Sequence, residues 1–180
     1  MNVPAEPSTP IKILVVDDTP ANIDILFQTL EPEGCTLSVA TSGEDALNLA
    51  SEIQPDLILL DIMMPGIDGY ETCRRLKEDE STCNIPVIFL TAKNQTKDIV
   101  IGLSAGGVDY ITKPFRQEEV CARIRKHIQL QTLKNKLEEQ NQTLSELNET
   151  KNRLLGMASH DLRNPLTSIQ GYSKFLLNKG

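Results

Sequence analysis

Three aspartates, a threonine and a lysine each stand at the end of a short apolar run: Asp17 and Asp18 after Ile11–Val16, Asp61 after Leu57–Leu60, Thr91 after Pro86–Leu90, and Lys113 after Tyr110–Thr112. Brought together, three carboxylates repel one another unless a cation joins them. A donor set made only of oxygens suits Mg²⁺ (or Mn²⁺), which keeps several waters and takes one or two carboxylates together with phosphate oxygens. A carboxylate is also a nucleophile toward a phosphoryl group, giving an aspartyl phosphate. That transfer needs the phosphoryl oxygens neutralised by the metal and by a cation such as Lys113, and Thr91 can donate a hydrogen bond to the same group. Any one of these residues alone is ordinarily a helix cap or a turn residue, so the inference rests on all five occupying matching positions.

The elements that must place them are legible in the pattern. A fifth apolar run, Thr36–Ala40, joins the four above, and amphipathic segments lie between them at Ala21–Leu30, Gly43–Ile53, Asp68–Lys77, Lys97–Ala105 and from near Gln117. Strand and helix in alternation imply a doubly wound α/β domain with a five-stranded parallel sheet covered on both faces. Ile11–Val16 and Leu57–Leu60 are almost wholly apolar, as strands buried on both faces must be. In such sheets ligands bind beyond the carboxyl ends of the strands, and the order 2-1-3-4-5 brings the five polar residues to one edge.

These strings resemble the response-regulator receiver family: Ile13-Leu14-Val15-Val16-Asp17-Asp18, Asp56 through Asp61 with Met63-Met64-Pro65-Gly66 following, Leu90-Thr91-Ala92, and Asp109-Tyr110-Ile111-Thr112-Lys113-Pro114-Phe115. The resemblance implies a flavodoxin-like fold and Asp61 as phosphoacceptor. It implies Asp18, Asp61 and the Met63 backbone carbonyl as direct Mg²⁺ ligands, with Asp17 acting mostly through water. Lys113 and Thr91 would hold the phosphoryl group, Tyr110 would be an aromatic switch, and the Lys113–Pro114 bond would be cis.

The chain changes character near residue 129. From Arg116 to Asn164 there is no proline and one glycine, Gly156. Leu130, Leu137, Leu144, Lys151 and Ala158 fit heptad position a, and Leu133, Gln140, Leu147 and Leu154 fit position d. Apolar residues dominate both sets, which predicts a long coiled coil pairing two copies of the chain in parallel. Gln140 and Lys151 interrupt the seam. The flanking Lys134, Lys136, Asn141, Thr143 and Asn148 place no like charges opposite one another. The stripe then shifts by one residue to Leu155, Leu162, Ile169 and Leu176, and His160 falls beside it.

The string Ser159-His160-Asp161-Leu162-Arg163-Asn164-Pro165-Leu166 resembles the phosphoacceptor box of the sensor histidine kinases. That resemblance implies His160 as a phosphorylated residue, Asp161 as its acid/base neighbour, and Asn164 as an aid to transfer or phosphatase chemistry. Pro165 removes a helix donor and should bend the helix. The expected organisation is a disordered lead over 1–10, a receiver over 11–128, a coiled-coil signalling helix over 129–158, and a partial dimerisation and phosphoacceptor segment over 159–180 that forms part of a helical hairpin. The ATP-binding domain that such a kinase needs has no motif in these residues, so the chain reads as the front part of a larger hybrid kinase.

Two functions remain. In one, phosphorylation of Asp61 regulates an attached kinase core through the joining helix. In the other, the receiver carries an oligomerising tail and His160 has no kinase role. An aspartyl-phosphate phosphatase, which wants a second acid two residues after the nucleophile, finds Met63 there. A straight helix over the roughly 44 residues from Arg116 to His160 would span about 66 Å. The expectation is therefore that Asp61 takes its phosphate from a separate histidine kinase or phosphotransfer protein, not from His160 of its own chain.

Net charge is −7, which disfavours nucleic acid as a partner. No apolar run is long enough to cross a membrane. The four cysteines lack metal-ligand spacing and fit reduced thiols in a cytoplasmic protein.

Overall fold

The computed structural model describes residues 10–92 and 101–177, with the backbone alone from 156 onward. Five parallel strands are ordered β2-β1-β3-β4-β5: β1 Lys12–Val16, β2 Thr36–Ala40, β3 Leu57–Asp61, β4 Val87–Thr91 and β5 Asp109–Thr112. The helices are α1 Pro20–Leu30, α2 Gly43–Ile53, α3 Gly69–Glu78, a helical segment α4 at 101–104, and α5 Gln117–Leu177. A 3₁₀ turn at Glu31–Glu33 follows α1 and closes on Gly34 in the left-handed region. The order β2-β1-β3 reverses direction at β1, so β1 and β3 flank the switch point where a crevice opens.

The period-2 alternation of the strands sorts their side chains into two cores. Leu14, Val16, Ile58, Leu60, Val87 and Phe89 face one way, onto Ala46 and Ala50 of α2 and Cys73 and Leu76 of α3. Ile13, Val15, Leu57, Leu59, Ile88, Leu90 and Ile111 face the other, onto Leu26 and Leu30 of α1 and Val120, Cys121 and Ile124 of α5. β1 and β3 are apolar almost throughout because both of their faces are covered. The helix starts are set locally. Ser42 accepts from the Asp45 N–H at 3.1 Å and Asp68 from the Glu71 N–H at 2.8 Å, so each caps its helix. Pro20 occupies the first turn of α1, where its missing N–H is no loss.

The chain divides into two compact units, Met1–Gln131 and Thr132–Gly180. α5 belongs to both and is helical through Pro165. In the first unit its Val120, Cys121, Ile124 and His127 are buried. In the second, every described side chain is exposed. All four cysteines are free, and burial pushes the Cys73 thiol up to about 11.

Candidate functional site

At the carboxyl edge of the sheet, β1 runs directly into Asp17, which is wholly buried, and then into exposed Asp18. Asp61 and Thr91 are the last residues of β3 and β4 rather than the first of the loops that follow. Lys113 follows β5 across a hydrogen bond from its N–H to the Thr91 carbonyl at 2.7 Å. The Lys113–Pro114 bond is cis, as the resemblance implied. One oxygen of each of Asp17, Asp18 and Asp61 lies within 4.8 Å of the others.

Lys113 ties this group together. Its Nζ lies 2.8 Å from Asp17 Oδ2 and 2.9 Å from Asp61 Oδ1. Burial alone would lower the lysine pKa, but the hydrogen bonds to Asp17 and Asp61 outweigh it and hold the ammonium above its ordinary value. The Asp61 pKa is raised as well. Burial pushes its pKa up and the neighbouring Asp17 charge adds to that, against the opposing Lys113 and the Ile62 N–H. Ile62 donates to Asp61 Oδ1 at 3.0 Å, so one oxygen takes both donors and the other has no hydrogen-bond partner among the described residues.

Backbone clearance on the far side of Asp61 depends on Gly69. A Cβ there would sit 2.2 Å from the Asp61 carbonyl oxygen and 2.8 Å from the Ile62 Cα. Any other residue at the start of α3 would push the end of β3 out of place. Met63 lies on the loop between β3 and α3 and lines an open basin together with Asp18, Met64 and Tyr70.

Thr91 and Tyr110 line one small cavity with Ile62, Phe89 and Gly102. The Tyr110 ring lies under the Arg123 guanidinium of α5, 5.4 Å from its centroid. His160, Asp161 and Asn164 fall on α5 as helical residues, and their side chains lie outside the described residues.

Residues 13–125 match the response regulator receiver domain family. The chain belongs to that family. Residues 150–180 match the His Kinase A phosphoacceptor domain, so the receiver is followed by a histidine-kinase segment and the chain is a two-component signalling protein. The receiver is 46% identical over 114 residues to the DNA-binding dual master transcriptional regulator RpaA of a Synechocystis strain, across 63% of this chain and 47% of that protein. It is 45% identical to the response regulator PleD of Caulobacter vibrioides, across 63% of this chain and 25% of PleD. The chain therefore spans half or less of these relatives.

Among solved structures, the signal receiver domain of a histidine kinase from Syntrophus aciditrophicus superposes with a TM-score of 0.61 at 35% identity, covering 66% of this chain and 89% of that one. The receiver domain of the Pseudomonas aeruginosa sensor kinase PA1611, solved with magnesium in its active-site cleft, gives 0.63 at 31% identity, covering 67% of this chain and 98% of that one. No helix among the described residues is long and apolar enough to cross a membrane.

Two features of the receiver have no counterpart in the sequence reading. Asn22, in the first turn of α1, donates to both oxygens of Asp17 at 2.9 and 3.1 Å. Its only trace in the sequence is a polar side chain five residues after Asp17. On β5, Asp109 gathers three side chains of α5: Arg123 Nη1 at 2.6 Å, Lys126 Nζ at 3.7 Å, and the buried His127 Nε2 at 2.9 Å. Burial raises the Asp109 pKa, but the His127 hydrogen bond, the Tyr110 N–H and Arg123 outweigh it and hold the carboxyl below its ordinary value.

Proposed function

We propose that Asp61 accepts a phosphoryl group and that its phosphorylation regulates a histidine phosphoacceptor on α5. The observation that carries this is Asp61 itself. It is a nearly buried carboxylate with one oxygen anchored by Lys113 and the Ile62 N–H and the other left open. In the reaction a carboxylate oxygen of Asp61 attacks phosphorus. A new O–P bond forms, the bond from phosphorus to the donor breaks, and the donor leaves with its electron pair. The fixed Lys113 ammonium stabilises the charge on the phosphoryl oxygens, and Thr91 donates to the same group. Tyr110 is the aromatic side chain that responds to occupation of the neighbouring cavity.

Three carboxylates face one ammonium here, an excess of negative charge that fits a hard divalent cation. Asp18, Asp61 and the Met63 carbonyl would hold Mg²⁺ (or Mn²⁺), with Asp17 acting through water. Bound there, the cation would neutralise phosphoryl oxygens and offset the mutual repulsion of the aspartates.

The second half of the proposal rests on α5. Leu130, Leu133, Leu137, Leu144, Leu147 and Leu154 are between 53% and 63% exposed, and their heptad spacing fits a parallel homodimer. The helix continues into the matched phosphoacceptor segment. His160 is the histidine to be phosphorylated there by an ATP-binding kinase domain, with Asp161 and Asn164 supporting the transfer. Phosphate reaches Asp61 from a separate histidine kinase or phosphotransfer protein.

The test supplies a separate ATP-binding kinase domain and measures labelling of His160 with and without prior phosphorylation of Asp61. Labelling should change several-fold, and Asp61→Asn should remove the response. Labelling of His160 that is indifferent to the state of Asp61 would contradict regulation. No labelling of His160 at all would favour a receiver with an oligomerising tail.

A further inference from the structure

We infer that Asn22 is a positioning residue of the metal site, which keeps Asp17 out of direct contact with the cation. This rests on the metal site proposed above. Asp17 is wholly buried, yet its carboxylate is satisfied on all sides. Oδ1 accepts from the Thr19 N–H at 2.9 Å and from Asn22 Nδ2 at 2.9 Å. Oδ2 accepts from Lys113 Nζ at 2.8 Å and from Asn22 Nδ2 at 3.1 Å. A carboxylate has about four acceptor directions, and these contacts take them up.

The other two aspartates differ. Among the described residues, Asp61 has one oxygen free of hydrogen-bond partners, and exposed Asp18 has a single contact, from Thr19 Oγ1 at 3.3 Å. A cation entering the cluster therefore finds open acceptors on Asp18 and Asp61, while Asp17 offers only its charge. Asn22 is the one neutral side chain that enforces this division. It supplies two of the four contacts on Asp17 from a single amide nitrogen.

Asn22 also holds the first turn of α1 through its backbone N–H, which donates to the Thr19 carbonyl at 3.0 Å. Side-chain replacement leaves that bond in place, so the two roles separate. Removing the amide frees acceptor directions on Asp17 and leaves a buried anion short of a donor. Both effects are worst in the metal-free protein and are relieved by a bound cation, so they act in the same direction: metal binding tightens.

The experiment titrates Mg²⁺ into the chelator-treated 180-residue chain and follows the amide signals of Thr19 and Ile62 together with the melting temperature. Asn22→Ala should melt lower without metal. Its Mg²⁺ dissociation constant should fall about five- to tenfold, the scale of one net hydrogen bond. Mg²⁺ should then raise its melting temperature by more than it raises that of the wild type. Asn22→Ser, whose hydroxyl is too short to bridge both oxygens, should tighten binding in the same direction and carries the comparison if the alanine variant does not fold. An unchanged or weaker Mg²⁺ affinity in these variants, with melting lowered equally with and without metal, would overturn the inference and leave Asn22 a structural residue. Failure of the wild type itself to bind Mg²⁺ would overturn the metal site and this inference with it.

Discussion

The two units of this chain use the same kinds of apolar residue in opposite ways. In the receiver, Leu14, Leu57, Leu59 and Leu60 are completely buried between layers of helix. Past Thr132, leucines of the same size stand more than half exposed along one stripe of α5. A sheet buried on both faces completes its core within the chain. A single helix cannot, and in isolation it has little stability of its own. The apolar side chains of the receiver are thus covered within their own unit, whereas the leucines of the helix stand open.

The comparison breaks first in the core. Leu59→Ala removes a fully buried side chain from the face shared with α1 and α5 and should destabilise the receiver by about 2–5 kcal/mol. Urea unfolding followed by a probe in the sheet measures it, and a loss below about 1 kcal/mol would mean the site collapses far more readily than its surroundings suggest.

Replacing Leu137 and Leu144 with glutamine should leave receiver stability within about 0.5 kcal/mol, as for an exposed substitution, while converting a dimer to a monomer in light scattering at micromolar concentration. A monomeric wild type would remove the dimer altogether.

Two aspartates should show opposite pH behaviour. Asp61 is raised in the folded state, so the native protein holds that proton to higher pH and loses stability as pH rises from the unfolded value to the folded one. Without metal, Asp61→Asn should be more stable than the wild type at pH 7, with the gap closing in acid. Asp109 is lowered, so its contribution is present above the unfolded aspartate value and is lost as pH falls through the folded one. Asp109→Asn should be less stable at pH 7, with that gap also closing in acid. Thermal melts across the pH range check both, and matching signs would contradict the assigned environments.

The smallest effect belongs to Arg125, whose guanidinium meets Glu33 at 2.5 Å on the surface. Arg125→Ala should leave the melting temperature within measurement error, because exposed ion pairs add little.

Much of this arrangement was legible in the sequence. Continuous apolar runs mark β1 and β3, and the polar residue closing each run places Asp17, Asp61 and Lys113 at one edge. The Asp109–His127 pair was not legible, because it depends on which elements become neighbours; Asn22 lies only five residues after Asp17, but a polar residue at that spacing does not by itself tell that its amide turns back onto the carboxylate. Asp109 meets α5 only once β5 and that helix are packed, 18 residues apart in sequence. The 3₁₀ turn at Glu31–Glu33 was also missed: it extends α1 by a tighter turn that no apolar period announces.

The most direct measurement is covalent. The chain is incubated with a small-molecule phosphodonor, with and without Mg²⁺, and the phosphorylated peptide is mapped. One base-labile phosphoryl group should form on Asp61, only with the metal, and should be lost in Asp61→Asn. Labelling that persists in that variant, or that forms equally well without a divalent cation, would contradict this assignment.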